Sequence, residues 1–329
     1  MLRCRPAKAT HLDNISKTID TRRTVSFSLH ANPERTMNNP FVKLHVAILL
    51  AGMTGILGKL IQLSEGPLVW WRMLMTSLLL FAYLWHAGKL PRIALRDMLA
   101  IMGIGCLIAI HWIFFYGSIK AANVSIAVVC FALTGFFTAI LEPLFFRRRI
   151  SPREICFSLI TVFGIALIFH FDTRYRLGII LGVLCAVFSA LFTICVRKMG
   201  DRHTSSTMLL FQMIGGWAFL TLCAPVFLAL APGVPVMPTL SDWIYLFLLS
   251  SVCTIGLFLL QIQALQQISA FTVNLSFNLE PVYSIAIAMA FLGEANELNF
   301  SFFAGLAMIC VSVVLQSMYA LRQKGGLAA

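Results

Sequence analysis

Glu280 stands inside a long apolar run, FNLEPVYSI (277 to 285), and Pro281 follows it at once. A carboxylate among apolar residues can hold an amine or exchange a proton. A proline has no N–H to donate, so in a helix it frees the carbonyl of Phe277 and kinks the chain. Spacing by four places Thr272, Ser276, Glu280, Ser284 and Ala288 on one small, polar stripe, with Asn274 and Asn278 on a neighbouring one. A cavity or another helix, not lipid, is the expected neighbour of such a face. The competing reading is a packed Glu280, bonded to an adjacent helix and holding the kink in place.

Other residues are of the right type to act with it. Arg72 lies near the start of an apolar segment beside Trp70 and Trp71, and Lys59 extends the small-residue stripe Ala47, Ala51, Gly55 by one further step of four. Either cation would pair with Glu280 or bind a substrate carboxylate; otherwise each is interfacial or structural. The stretch HWIFFY puts His111 and Phe115 on one face and Trp112 and Tyr116 on the next. That is an aromatic wall with a titratable ring, suited to an apolar or aromatic substrate group, or else packing with the ring bonded to a nearby backbone group. Gln263 lies one turn from Gln266 and Gln267. The three, like Gln212, read as a polar lining or as hydrogen bonds between helices. Glu142-Pro143 precedes Arg147, Arg148 and Arg149 and reads as a boundary salt bridge or gate, while Glu294 and Glu297 read as solvated turn residues.

The elements that position these residues follow from composition. Of 329 residues, 59% are hydrophobic and 12% charged, more apolar surface than a soluble domain of this size can hide. Ten runs, near 42–61, 67–86, 96–119, 121–146, 154–171, 178–196, 205–231, 241–265, 268–292 and 299–321, are each long enough to cross a hydrocarbon core about 30 Å thick. The expected fold is an all-α integral membrane protein of about ten transmembrane helices. The net charge of +12 invites nucleic acid as a partner, but its distribution argues otherwise. Twenty of the 25 basic residues fall on one side of this topology, which puts both termini in the cytoplasm by the positive-inside rule and leaves the bilayer as the partner. Eight of the nine cysteines fall inside spans and no CxxC occurs, so neither a metal nor a disulfide framework is expected.

Residues 1–36 are polar and basic without an apolar core. They read either as a disordered tail or as sequence ahead of a true start at Met37, and the second reading is preferred. Residues 37–176 and 177–321 then form two five-span copies, with 322–329 a short cytoplasmic tail. At an offset of 146, residues 131–151 fall on 277–297; at 135, Ala47, Ala51 and Gly55 fall on Gly182, Ala186 and Ala190. Five spans per copy is odd, so the second copy enters the membrane inverted. Many transporters alternate access on such an arrangement, around a site near the bilayer midplane.

The segment SAFTVNLSFNLEPVYSIAIAMAFLGEANELNFSFFAGLAMICVSVVL (269 to 315) resembles the repeat of the drug/metabolite transporter superfamily, EamA-type: a span with a mid-span proline ending in Gly293-Glu294, a polar turn, and a Gly-containing final span. The first copy departs from that pattern, with Gly135 in place of the proline and Arg147-Arg148 in place of Gly-Glu. The resemblance implies a ten-span carrier, commonly an exporter of amino acids, other small metabolites or toxic compounds. No Walker motif, HExxH or paired Asp is present, so an ATP-driven pump and an intramembrane enzyme are disfavoured. The expectation is therefore a secondary transporter of a small amphipathic substrate, proton-coupled or else a passive facilitator, in the bacterial inner membrane. No cofactor is expected, and the sequence leaves a monomer and a homodimer equally open.

Overall fold

A computed structural model describes residues 39–169, 175–200, 202–277, 279–291 and 300–325. The described residues form helices and their connections: α1 (Pro40–Leu60), α2 (Glu65–His86), α3 (Leu95–Ala121), α4 (Val124–Phe131), α5 (Thr134–Phe146), α6 (Pro152–Phe169), α7 (Arg176–Met199), α8 (Ser205–Leu230), α9 (Leu240–Ser250), a π-helical stretch (Ser251–Gly256), α10 (Leu257–Gln267), α11 (Ala270–Phe277), α12 (Glu280–Phe291) and α13 (Phe300–Gly325). Seven of the continuous helical stretches are long and apolar enough to cross a membrane, and α6 and α13 contain shorter apolar stretches. Each of the ten expected spans coincides with one helix or with a broken pair. The tail at 1–36, Asn278, Glu294, Glu297 and the residues after Gly325 lie outside the described residues.

Local sequence sets where the helices begin. Pro40 opens α1, where its missing N–H costs nothing, behind Asn39, whose side chain accepts from Phe41 N–H at 3.0 Å. Asn123 caps α4 and Thr204 caps α8 in the same way. Thr239 and Asp242 form a reciprocal capping box at the start of α9. Each such cap contributes about 1 kcal/mol, a sum that fixes the ends of helices whose length is set by apolar runs.

Two five-helix repeats are built from these elements, and their contacts are reciprocal. The first helix of one repeat packs on the third and fourth spans of the other: α1 lies against α10 and α12, and α7 lies against α3, α4 and α5. The second helices pair as α2 with α8, and the fifth as α6 with α13, where Thr161 Oγ1 donates to Ser312 Oγ at 3.0 Å. In lipid there is no hydrophobic drive between helices, so close approach has to supply the packing. Small residues permit it. Ala47, Ala51 and Gly55 on α1 and Gly178, Gly182, Ala186 and Ala190 on α7 are buried along the expected stripes. Gly105 on α3 lies on the Gln212 backbone of α8, and a Cβ there would collide with its carbonyl.

The fourth span of each repeat is broken at the same point. Ala132 and Leu133 separate α4 from α5, and α12 begins at Glu280; the first residues of α5 and α12, Thr134 and Glu280, are related by the sequence offset of 146. The first copy breaks without a proline. Ala132 and Leu133 keep helical dihedrals but bond back three residues, to the Val129 and Cys130 carbonyls at 3.1 and 3.0 Å, a tightened turn buried in protein. In the second copy Pro281 occupies the first turn of a new helix, not the middle of a kinked one.

Candidate functional site

The site is a small cavity of about 50 Å³ between the two repeats, lined by residues of α1, α2, α3, α4, α7, α10, α11 and α12. Arg72 of α2 is fully buried in its wall. Its Nε donates to Thr254 Oγ1 at 2.8 Å, Nη1 to Tyr116 OH at 2.7 Å and Nη2 to the Cys253 carbonyl at 3.4 Å. The guanidinium lies 3.6 Å from the centre of the Trp112 ring, a desolvated cation–π contact of about 2 kcal/mol. The π-helical stretch explains two of these bonds. The backbone widens at Ser251–Gly256, Thr254 bonds back to the Leu249 carbonyl at 2.6 Å, and Thr254 and Cys253 are thereby presented to Arg72. Tyr116 reaches it because Gly58 on α1 leaves no Cβ where the tyrosine ring passes.

Glu280 reaches the cavity from the first residue of α12 and is 4% exposed. The positive end of that helix favours a negative charge there. Among the described residues it has no hydrogen-bond or ion-pair partner, and it forms no ion pair with Arg72. His111 and Trp112 of α3 also line the cavity. The His111 ring meets the Cys185 carbonyl of α7 through Nδ1 at 3.1 Å, so the backbone-bonded alternative holds for that nitrogen, and Phe131 and Phe115 flank the ring. Trp112 stands edge-on to Phe258.

The remaining sequence candidates lie elsewhere. Asn274 donates to Thr138 Oγ1 at 2.8 Å and Thr193 Oγ1 at 2.6 Å, a buried bridge from α11 to α5 and α7. Ser276 bonds to the Thr272 carbonyl within its own helix, and Ser284 to the Gly52 carbonyl of α1 at 3.1 Å. Gln263 meets Ser205 at 3.4 Å, away from the cavity. Lys59 is exposed at the end of α1 and does not reach the cavity. The stripe through Glu280 is buried at Ser276, Glu280 and Ser284, but of these only Glu280 lines the cavity. Residues the sequence did not single out complete the lining: Thr54, Ser189 and Gln261, whose side-chain oxygen is buried without a partner. Gln261 lies two residues before Gln263, further into the same span than the three glutamines the sequence singled out.

At each end of the helix bundle a carboxylate of one repeat bonds to the backbone of the other. At one end Asp242 of α9 accepts from Gln62 N–H at 2.8 Å, and Lys120 of α3 donates to the Ile61 carbonyl, so a single peptide unit is held from both sides. At the opposite end Glu142 of α5 accepts from Phe271 N–H, in the first turn of α11, at 2.8 Å. There Arg197 donates to the Leu265 and Gln266 carbonyls at 2.9 Å each, and His203 meets Asp97 at 3.1 Å. A larger groove of about 540 Å³ on the flank, walled by Trp70, Trp71, Phe219 and Phe227, carries no charged side chain. Its tryptophan N–H groups are already bonded, to Thr221 and Val236. Among the described residues no cluster fit for a metal occurs.

A search of solved structures finds a chain described as "Crystal structure of protein", with a TM-score of 0.65 at 17% identity over 86% of this chain and 98% of that one, a likeness of fold. No match to a curated protein is found. The model of the EamA-like transporter family matches twice, over residues 42–170 and 176–318. The two matches cover the two repeats that meet at the cavity, and the chain belongs to the EamA-like transporter family.

Proposed function

We propose that the protein is a secondary active carrier that exports a small amphipathic metabolite by alternating access, with Glu280 as the group that exchanges the coupling proton. The observation that carries this reading is the cavity between the repeats, lined by a buried carboxyl without a partner among the described residues, together with the bonds between the repeats that Asp242 and Glu142 make. A channel would need a continuous path. A carrier needs an enclosed site and two closures that open in turn. The other titratable groups around Glu280 are Arg72, His111, Tyr116 and Cys185, of which Arg72, Tyr116 and His111 are already hydrogen-bonded. The basic residues Arg147, Arg148, Arg149, Arg197, Lys198 and Arg202 gather at the Glu142 end, which supports assigning that end and both termini to the cytoplasm, in a bacterial inner membrane.

The test is transport in proteoliposomes. The wild type shows saturable counterflow and pH-driven uptake. Glu280→Gln abolishes the pH-driven component while counterflow persists. Flux that rises linearly with concentration would overturn the carrier, and unchanged pH coupling in Glu280→Gln would overturn the proton role.

A further inference from the structure

In each repeat the link between the first and second spans is gripped in the same way, at opposite ends of the bundle. In the α1–α2 link, Gln62 N–H donates to Asp242 at 2.8 Å and the Ile61 carbonyl accepts from Lys120. In the α7–α8 link, His203 Nε2 meets Asp97 Oδ2 at 3.1 Å and the His203 carbonyl accepts from Gln266 Nε2 at 2.9 Å. A carboxylate only accepts, so His203 donates to Asp97. In both grips the aspartate comes from the start of the other repeat's third span, and the second donor from the end of the third span of the same repeat. Asp97 and Asp242 are each the third residue of a helix, α3 and α9, and Lys120 and Gln266 are each the last but one, of α3 and α10. Lys120 and Gln266 are related by the offset of 146, and the two aspartates fall within one residue of it.

The grips differ in one respect. Thr239 caps α9 and shares Asp242 in a capping box, and the link offers that carboxylate a backbone N–H. Ala94 precedes α3 with no side chain to cap it, and the link offers Asp97 a side chain. The His203 grip can therefore be undone by changing the link itself.

We propose that Asp97 and Gln266 are positioning residues of transport: with His203 they form a latch at the end assigned to the cytoplasm, the counterpart of the latch that Asp242 and Lys120 form on the α1–α2 link, and each latch releases its own side. Both links join helices of the cavity wall, with Thr54 on α1, Arg72 on α2, and Ser189 and Phe192 on α7. Release of a link frees that wall to move. The inference rests on the carrier reading for the motion, and on the two sets of hydrogen bonds for the residues.

The test follows labelling by an impermeant maleimide in lipid nanodiscs, in a cysteine-free background that carries one or both of two fully buried reporters. These are Ile61→Cys in the α1–α2 link and Met208→Cys in the first turn of α8. Asp97→Ala is expected to speed labelling of Met208→Cys at least about tenfold and to leave Ile61→Cys within about twofold. His203→Leu and Gln266→Leu act in the same sense, so the outcome does not hang on one variant's folding. His203→Gln keeps an N–H at the same reach and stays within about twofold of the parent. Met208→Cys rates indifferent to all three disruptive variants, acceleration of both reporters alike, or a His203→Gln as fast as His203→Leu overturns the latch. The chain with both reporters separates the two readings. Under alternating access an adduct on one side holds that side open, so the second reporter labels at least about tenfold more slowly. Independent labelling with the one-sided acceleration keeps the latch and removes alternating access; mutual retardation with indifference to the variants removes the latch and keeps alternating access.

Discussion

Arg72 shows how much a buried charge depends on residues far from it in sequence. Its partners are 44, 181 and 182 positions away, and none of them is a carboxylate. Replacement by lysine keeps the charge but gives up the planar fork and the stack on Trp112. Arg72→Lys is expected to lower stability by about 1–3 kcal/mol, read as a fall in the melting temperature of the detergent-solubilised protein. Arg72 and Glu280 were both legible as candidates, since an ionisable group in an apolar span is expensive wherever it ends up. Gln261 and Thr254 were not, because neutral polar residues are common in such helices and their importance here lies in what they face. Asn274 and Ser284 looked equally promising as polar residues, yet their hydrogen bonds are spent on α1, α5 and α7.

At the scale of elements the connections decide which parts can move. The α1–α2 link is held by a charge-assisted bond from Gln62 N–H to Asp242, worth about 1.5–3 kcal/mol. Asp242→Asn removes the charge and should loosen that end. In a cysteine-free background, Ile61→Cys is a fully buried reporter whose labelling by an impermeant maleimide should accelerate about tenfold when Asp242→Asn is added. An unchanged rate would assign the closure to Lys120 alone. The breaks in the fourth spans show where sequence pattern reached its limit. Pro281 announced the second break; nothing in FALTGFF announced the first, at Ala132 and Leu133. The turn there is tightened by bonds within the segment, Leu133 N–H donating to the Cys130 carbonyl at 3.0 Å and Thr134 Oγ1 to the Phe131 carbonyl at 2.6 Å, and the surroundings bury it.

For the whole molecule, reciprocal packing makes some contacts between repeats part of the motion and leaves others as scaffold. Gly52 of α1 and Ser284 of α12 meet beside the cavity, where a Cβ on Gly52 would lie 3.5 Å from Ser284 Oγ. The fifth helices meet at Thr161 and Ser312, remote from the cavity lining. A disulfide formed in Gly52→Cys/Ser284→Cys should arrest counterflow until it is reduced, and one in Thr161→Cys/Ser312→Cys should leave counterflow within about twofold of the uncrosslinked protein. Arrest by both would mean that the halves separate along their whole contact.

Composition and periodicity were enough for the class, the approximate number of spans and the two-repeat plan, because apolar length and small-residue spacing are properties of a helix by itself. They also singled out Glu280 and Arg72, because the cost of burying charge does not depend on the partner. Tertiary structure decided what those charges do. It turned Arg72 toward Tyr116 and Thr254, left Glu280 lining a cavity between the repeats, and put Lys59 outside. Hydrogen bonds are short and directional, so their partners are fixed only when distant helices have packed.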